Sequence, residues 1–434
     1  MRIPDAFEVV PTGPLRGAVV APASKSVTNR LLVMAALADG TSVLRRPLIS
    51  DDSAAMRDLI EGLGAAVRPV GDPDGDAHRW QIAGTGGRIS PVPHALDCRL
   101  SGTTIRFGTA IGSLADGQVT LTGEAPLRRR PIGPLTEALR TLGATAVDAD
   151  GFPPVTVGGG LDGGEVLIDV TGSSQYASAV LMAAPYAAAD VQVSATGGHA
   201  AAYVELTVAA MDAWGAEVAT VGPSAWRVTA GVGYRPCDLT VEYDASAAAH
   251  LFALAVASGG TVTVANVTDT IQPDADVVDV LAAFGATLAA EGDHVTVTGP
   301  DRPVPAGVVD LSRMPDQVTT VAALAALAEG PTTITGVAVA RGHETDRIAA
   351  LATELRKVGA DVEERPDGLV VDGTGATGHA VLDTYHDHRL AMAFAAIGTR
   401  LPGVVVDQPG CVAKTFPDFW KALVRVGGEV RAGR

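Results

Sequence analysis

The stretch Ala21-Pro-Ala-Ser-Lys-Ser-Val-Thr-Asn-Arg30 sets hydroxyls and two cations just ahead of an apolar run, Val27, Leu31, Leu32, Met34 and Ala35, whose spacing predicts a helix. A helix start carries unpaired N–H groups and the positive end of the peptide dipoles, so Lys25 and Arg30 beside it make a place for phosphate or carboxylate. The same ten residues also read as an ordinary Ser-capped helix with a surface lysine, since Ser is a preferred cap. Recurrence decides the fold. A polar cluster opening an apolar helix returns at Ser101, Ser173, Asp244, Asp316 and Asp387, at steps of 77, 72, 71, 72 and 71 residues from Ser24 onward. The first three clusters are hydroxyl-tipped (Ser-Lys-Ser, Ser-Gly-Thr-Thr, Ser-Ser-Gln) and the last three acid-tipped (Asp-Ala-Ser, Pro-Asp-Gln, His-Asp-His-Arg).

A second landmark keeps the same step. Helix-like segments end in Gly64, Gly143, Gly215, Gly285, Gly359 and Gly427, and most are followed by an alternating strand, a polar turn and a second strand, as in Ala216 to Val221 and Trp226 to Thr229. A unit of about 70 residues is longer than solenoid repeats of roughly 20 to 50, so it reads as a small α/β module used six times. Two domains of three modules follow: residues 23–240 with Ser tips suited to a phosphate, and residues 1–22 plus 241–434 with carboxylates suited to moving protons. Capping alone would also explain Ser and Asp at these places. The composition shifts near Tyr234 to Asp244, and residues 1–22 cannot complete the first Ser-tipped module, which predicts that they pair with the second half. Two chain crossings would make a hinge, and closure on a ligand held between hinged domains is expected.

With 32 Lys and Arg against 49 Asp and Glu, the net charge is −17, which excludes nucleic acid and anionic membrane as natural partners and confines any anion site to a local cluster of cations. Cys98, Cys237 and Cys411 are odd in number and far apart, against a disulfide framework and a close-spaced zinc site. Asp5 and Glu8 stand where a signal peptide would be apolar, and apolar runs are cut by Pro185, His250 or Glu329 before a membrane span is reached. A soluble cytoplasmic protein, working as a monomer, is expected.

Local cation clusters do occur. Arg128, Arg129 and Arg130 precede Pro131 and read either as a solvated face or as an anion clamp. In His343-Glu-Thr-Asp-Arg347, which opens another helix, Glu344 and Arg347 share a face and could be merely an intrahelical pair. Asp387-His-Arg389 and Lys414 add an acid, a titratable ring and two cations. His386 and His388 could be read as a metal pair, but no third His or Cys lies at ligand spacing, so no metal and no cofactor is expected.

Taken together, Ser24-Lys-Ser-Val-Thr-Asn-Arg30, Ser101-Gly-Thr-Thr-Ile-Arg106, Leu121-Thr-Gly-Glu with Arg130-Pro-Ile-Gly133, Gly172-Ser-Ser-Gln175, Pro315-Asp316, Glu344-Thr-Asp-Arg347 with Leu355-Arg-Lys-Val-Gly-Ala360, Asp387-His-Arg389 and Lys414-Thr-Phe-Pro-Asp418 resemble the EPSP synthases (3-phosphoshikimate 1-carboxyvinyltransferases) of the enolpyruvyl transferase family. The resemblance covers essentially the whole chain. It implies an inside-out α/β barrel in each of two domains, built from three βαβαββ units apiece. The implied reaction moves the enolpyruvyl group of phosphoenolpyruvate to the 5-hydroxyl of shikimate 3-phosphate, releasing phosphate, in the shikimate pathway that leads to aromatic amino acids, with glyphosate as an inhibitor. Carried over residue by residue, it assigns Ser26 and Arg30 to the shikimate carboxylate, Ser173 and Ser174 to its phosphate, and Gln175 and Tyr203 to its ring. Lys25, Gly102, Arg130, Arg347, Arg389 and Lys414 would surround phosphoenolpyruvate, with Asp316 accepting the hydroxyl proton and Glu344 and Lys414 exchanging protons with the methylene carbon and leaving phosphate; Lys25 also joins these three as a catalytic residue, and His343 joins the substrate-binding residues.

Four positions depart from the family pattern: Ala200 for a Ser, His343 for a Lys, Val339 for an Asn and Phe107 where Pro is common. The first three imply weaker or pH-dependent shikimate 3-phosphate binding. The sister enzymes that use UDP-N-acetylglucosamine carry a reactive Cys in the loop before Arg130, and residues 121 to 130 contain none. A non-catalytic anion-binding protein of the same repeats would have no need of Asp316, Glu344 and Lys414 together.

Overall fold

Six helices begin at the six polar clusters: Lys25–Leu37, Gly102–Gly112, Gln175–Ala183, Ala245–Ser258, Val318–Ala325 and His388–Gly398. Beyond the first residues of the earliest and third, every position in them is buried, as the apolar, Ala-rich sequences require of a helix with no polar face. The other six α-helices, among them Asp51–Gly62 and Arg347–Lys357, bury less of their surface and end at the repeated glycines. Those six glycines all lie in the left-handed region, with φ between 83° and 107°, where a side chain would strain the backbone. The computed structural model describes residues 3–71, 78–197 and 201–433.

Each module contributes a four-stranded sheet of one topology. In the third, Gly164–Asp169 runs parallel to Val191–Thr196, which is antiparallel to Ala225–Val228, itself antiparallel to Val218–Gly222. The parallel pair is joined through a buried helix, and the antiparallel pair is a hairpin, so each sequence unit is a βαβαββ element. Three modules borrow a strand from elsewhere in the chain. Asp238–Thr240 pairs with Thr41–Arg45, bringing Leu239 opposite Leu44. Arg16–Val20 pairs with Thr261–Ala265, with Val19 opposite Val264. Ala6–Val10 lies between Val404–Asp407 and Glu429–Ala432, with Phe7 opposite Val406 and Val9 opposite Val430.

The chain divides into two compact units, Ala23–Glu242 and Met1–Pro22 with Tyr243–Arg434. Each has its own hydrophobic core, one containing Leu32, Met34, Phe107 and Trp214, the other Phe252, Phe394, Phe419 and Trp420. The boundary falls two residues beyond 240, because Val241 N–H donates to Arg45 O and Glu242 O accepts from Ser24 N–H inside the first unit. Among the described residues no helix is long and apolar enough to cross a membrane.

Candidate active site

In the Ser-tipped unit, Ser24 and Ser101 cap their helices, accepting from Val27 and Thr104 N–H, while Ser173 Oγ accepts from Gln175 N–H at 3.2 Å. The caps leave the rest of each tip to polar side chains. Arg30 is buried, with Nε donating to Thr207 Oγ1 at 2.7 Å and its two terminal nitrogens to Ser26 O and Tyr203 O at 2.9 and 3.2 Å. Its guanidinium also lies 5.4 Å from the Phe107 ring centroid, so the residue that departs from the family pattern supplies an aromatic face for the cation. Burial lowers the Arg30 pKa to about 10, with the Tyr203 charge opposing, and the group stays charged at neutral pH. Lys25 Nζ is 3.8 Å from Asp52.

Arg106, quoted in a motif but given no role from sequence, ties two tips together. It donates to Ser173 Oγ at 3.2 Å and Gln175 Oε1 at 2.8 Å, and packs 5.1 Å from the Tyr176 ring centroid. Gln175 Nε2 donates on to Thr103 at 3.2 Å. A lone charge on an otherwise uncharged helix in so acidic a chain was the signal available for it. The Arg triplet separates: Arg128 and Arg129 are exposed and Arg130 is half-buried beside Gly102. A Cβ on Gly102 would stand 2.6 Å from an Arg130 terminal nitrogen, and Gly102 has no positive φ, so close approach and not a left-handed turn explains the glycine. Ser26, Ser174 and Tyr203 are half-buried on the same unit, and Ala200 lies outside the described residues.

In the acid-tipped unit, Asp244 and Asp387 cap their helices, accepting from Ala247 and Arg389 N–H at 2.8 and 2.9 Å. Asp316 does not. It sits in the turn Pro315–Gln317 with no capping bond, and its oxygens accept instead from Arg347 and Arg389 at 2.7 and 2.8 Å. Arg347, 1% exposed at the start of Arg347–Lys357, also donates to both oxygens of Asp387 at 2.7 and 3.3 Å and to Glu344 at 2.9 Å. Glu344 precedes the helix, so its bond to Arg347 belongs to a lattice of three carboxylates and is no intrahelical pair. Lys414 Nζ lies 3.4 Å from Glu344, and His343 Nδ1 lies 3.0 Å from Arg347 and 3.3 Å from Asp316.

Burial alone would raise the Asp316 pKa, but Arg389, the His343 hydrogen bond and Arg347 hold it well below the usual carboxylate range. Arg347 is pushed further up, burial being outweighed by Asp387, Glu344 and Asp316. Burial lowers His343 despite Asp316, and burial with Arg389 and Arg347 keeps the fully enclosed His250 neutral well below its ordinary pKa. A histidine held neutral in the fold leaves the unfolded chain to bind more protons, so stability is present above about pH 6.5 and is lost as pH falls. His250→Phe is expected to flatten that loss by up to about 1.4 kcal/mol per pH unit in acid denaturation. An unchanged slope would remove His250 from the account.

The EPSP synthase (3-phosphoshikimate 1-carboxyvinyltransferase) family model matches residues 9–423. The chain belongs to the EPSP synthase family. It is 40% identical to the 3-phosphoshikimate 1-carboxyvinyltransferase of Methanoculleus marisnigri over 96% of this chain and 98% of that protein. It is 38% identical to the one of Pseudomonas savastanoi pv. phaseolicola over 99% of this chain and 100% of that protein. The solved EPSP synthase of Acinetobacter baumannii superposes with a TM-score of 0.79 at 25% identity, covering 98% of this chain and 99% of that one.

Of the histidines read as a metal pair, His386 is exposed and His388 is buried, and among the described residues no group of three or more His, Cys, Asp or Glu is arranged to hold an ion. Cys98 is buried, its thiol pushed up by burial and by Asp97, which leaves it unsuited to the nucleophilic role of the sister enzymes. Sequence reasoning also missed a buried chain behind Asp316: Gln317 donates to Asp274 at 2.6 Å and accepts from Thr320 at 2.9 Å, and Thr320 Oγ1 is 3.3 Å from His250 Nδ1. Gln317 and Thr320 are neighbours, but Asp274 and His250 lie 43 and 70 residues from their partners, and nothing local marks them as such.

Proposed function

We propose that this EPSP synthase family chain transfers the enolpyruvyl group of phosphoenolpyruvate to the 5-hydroxyl of shikimate 3-phosphate with release of phosphate, using the residues of its two helix-tip clusters. The observation that carries the residue assignment is the uncapped Asp316 clamped by two buried guanidiniums. A turn made only for stability would use the carboxylate as a cap; here it stands where two anion forks and a base are needed together.

The Ser-tipped unit supplies Ser26 and Arg30 for the shikimate carboxylate, Ser173 and Ser174 for its phosphate, and Gln175 and Tyr203 for its ring, with Arg106 holding Ser173 and Gln175 in place. Lys25, Gly102 and Arg130 are assigned to phosphoenolpyruvate on the family pattern, as are Arg347, Arg389 and Lys414. His343 lies against Asp316 and Arg347 and so belongs to the substrate set.

Asp316 paired to Arg347 and Arg389 is a poor base, because its conjugate acid is too strong. An incoming phosphate or carboxylate competes for the same forks and loosens them from Asp316, raising its pKa toward a value at which it takes the hydroxyl proton. The hydroxyl oxygen then bonds to the central carbon as the methylene carbon gains a proton from Glu344 or Lys414. That proton leaves again as phosphate departs, restoring the double bond. The pair 3.4 Å apart passes the proton between carbon and leaving group.

Phosphate release tests the reading. Release with phosphoenolpyruvate and shikimate 3-phosphate is expected, and release with UDP-N-acetylglucosamine instead would overturn it. Arg130→Ala is expected to raise the KM for phosphoenolpyruvate by about 30-fold, about 2 kcal/mol for a half-buried charge, while the KM for shikimate 3-phosphate changes far less. Equal effects on both would place Arg130 in folding. Gly102→Ala pushes the Arg130 guanidinium aside without backbone strain. An unchanged Tm, a modest loss of phosphoenolpyruvate affinity and a larger loss of glyphosate affinity are therefore expected; a large drop in Tm would overturn the close-approach account. A cytoplasmic monomer is the working form of this reading, and a single 44.0 kDa species in size-exclusion chromatography is its check.

A further inference from the structure

Glu354 is a carboxylate with 0% exposure that no proposed chemical step uses. It lies seven residues, two turns, after Arg347 on Arg347–Lys357, and so on the same face. Its oxygens accept from Asp383 N–H at 2.9 Å, Tyr385 O–H at 2.8 Å and Lys357 Nζ at 2.6 and 2.8 Å. The segment it grips is unusual. Tyr385 and His386 follow one another in the left-handed region, φ 50° and 58°, although neither is Gly or Asn. Such a residue is strained and persists only where its surroundings impose it. Asp383 Oδ1 accepts from Tyr385 N–H at 2.6 Å and Thr384 O from Asp387 N–H at 2.7 Å, which closes the turn.

The residues that leave this turn are Asp387, which clamps Arg347 by two bonds, and Arg389, which grips Asp316 at 2.8 Å. One helix thus braces the segment 383–389 at two points, by Arg347 on Asp387 and by Glu354 on Asp383 and Tyr385. We propose that Glu354 is a positioning residue, which imposes the left-handed turn at Tyr385 and His386 and thereby aims Asp387 and Arg389 at Arg347 and Asp316. Its kinetic consequence rests on the assignment of Arg347 and Arg389 to phosphoenolpyruvate made above.

The test uses the full chain with Glu354→Gln, which keeps shape and loses charge, and Tyr385→Phe, which removes one hydroxyl. Each is expected to raise the KM for phosphoenolpyruvate roughly tenfold, the scale of a hydrogen bond to a charged group, with little change for shikimate 3-phosphate. Glycine needs no help to adopt positive φ, so adding His386→Gly to Glu354→Gln is expected to recover most of the loss. Carboxyl NMR gives a readout independent of the ligand: looser guanidiniums raise the titration midpoint of Asp316 in both single variants. A raised midpoint with an unchanged KM supports the positioning role and overturns the phosphoenolpyruvate assignment. A lowered Tm with KM and midpoint both unchanged, or no recovery on adding His386→Gly, overturns the proposal.

Discussion

Asp316→Asn is expected to lower kcat by about 10² to 10⁴, the usual contribution of a positioned general base, while the KM for phosphoenolpyruvate falls. The two effects have one cause. Asn keeps the size of the side chain but carries no charge, so it takes no proton from the hydroxyl and competes less for Arg347 and Arg389. Arg347 remains paired with Asp387 and Glu344, which keeps the lattice assembled. Steady-state kinetics with both substrates decides the matter. An unchanged kcat removes Asp316 from the proton transfer, and a raised KM shows that its charge organises the forks more than it competes for them.

Arg347→Ala is expected to cost about 3–5 kcal/mol of stability, since truncating one partner of a buried ion pair leaves its carboxylates without compensation. Asp387 has 0% exposure and Asp316 and Glu344 stand nearby, so three negative charges would face each other with Arg389 and Lys414 left to balance them. Denaturant unfolding of the acid-tipped unit measures the loss. Arg347→Lys should regain part of the stability and little of the phosphoenolpyruvate affinity, because a single ammonium cannot reproduce bonds to Asp387, Asp316 and Glu344 from one planar fork. A loss below about 1 kcal/mol for Arg347→Ala would mean that the carboxylates are solvated after all.

The amino-acid sequence by itself determined the module and its count. Six glycines at helix ends and six polar tips at steps near 71 residues are local signals, each set by backbone sterics or by the unpaired N–H groups of a helix start, so a linear reading finds them. It also supplied most of the residues proposed for the site, because the tips are where charged side chains can stand at the ends of wholly buried helices. Local signals could not say which Asp is a cap and which is turned to side-chain partners. Asp244, Asp316 and Asp387 look alike in the chain, and only the turn at Pro315–Gln317 and the approach of Arg347 and Arg389 separate the second from the others. Nor could they place Arg106 beside Ser173, 67 residues away, or Glu354 beneath Tyr385, 31 residues on. A buried charge is tolerated only where partners converge on it from several segments, and that convergence is a property of packing, which tertiary structure alone decides.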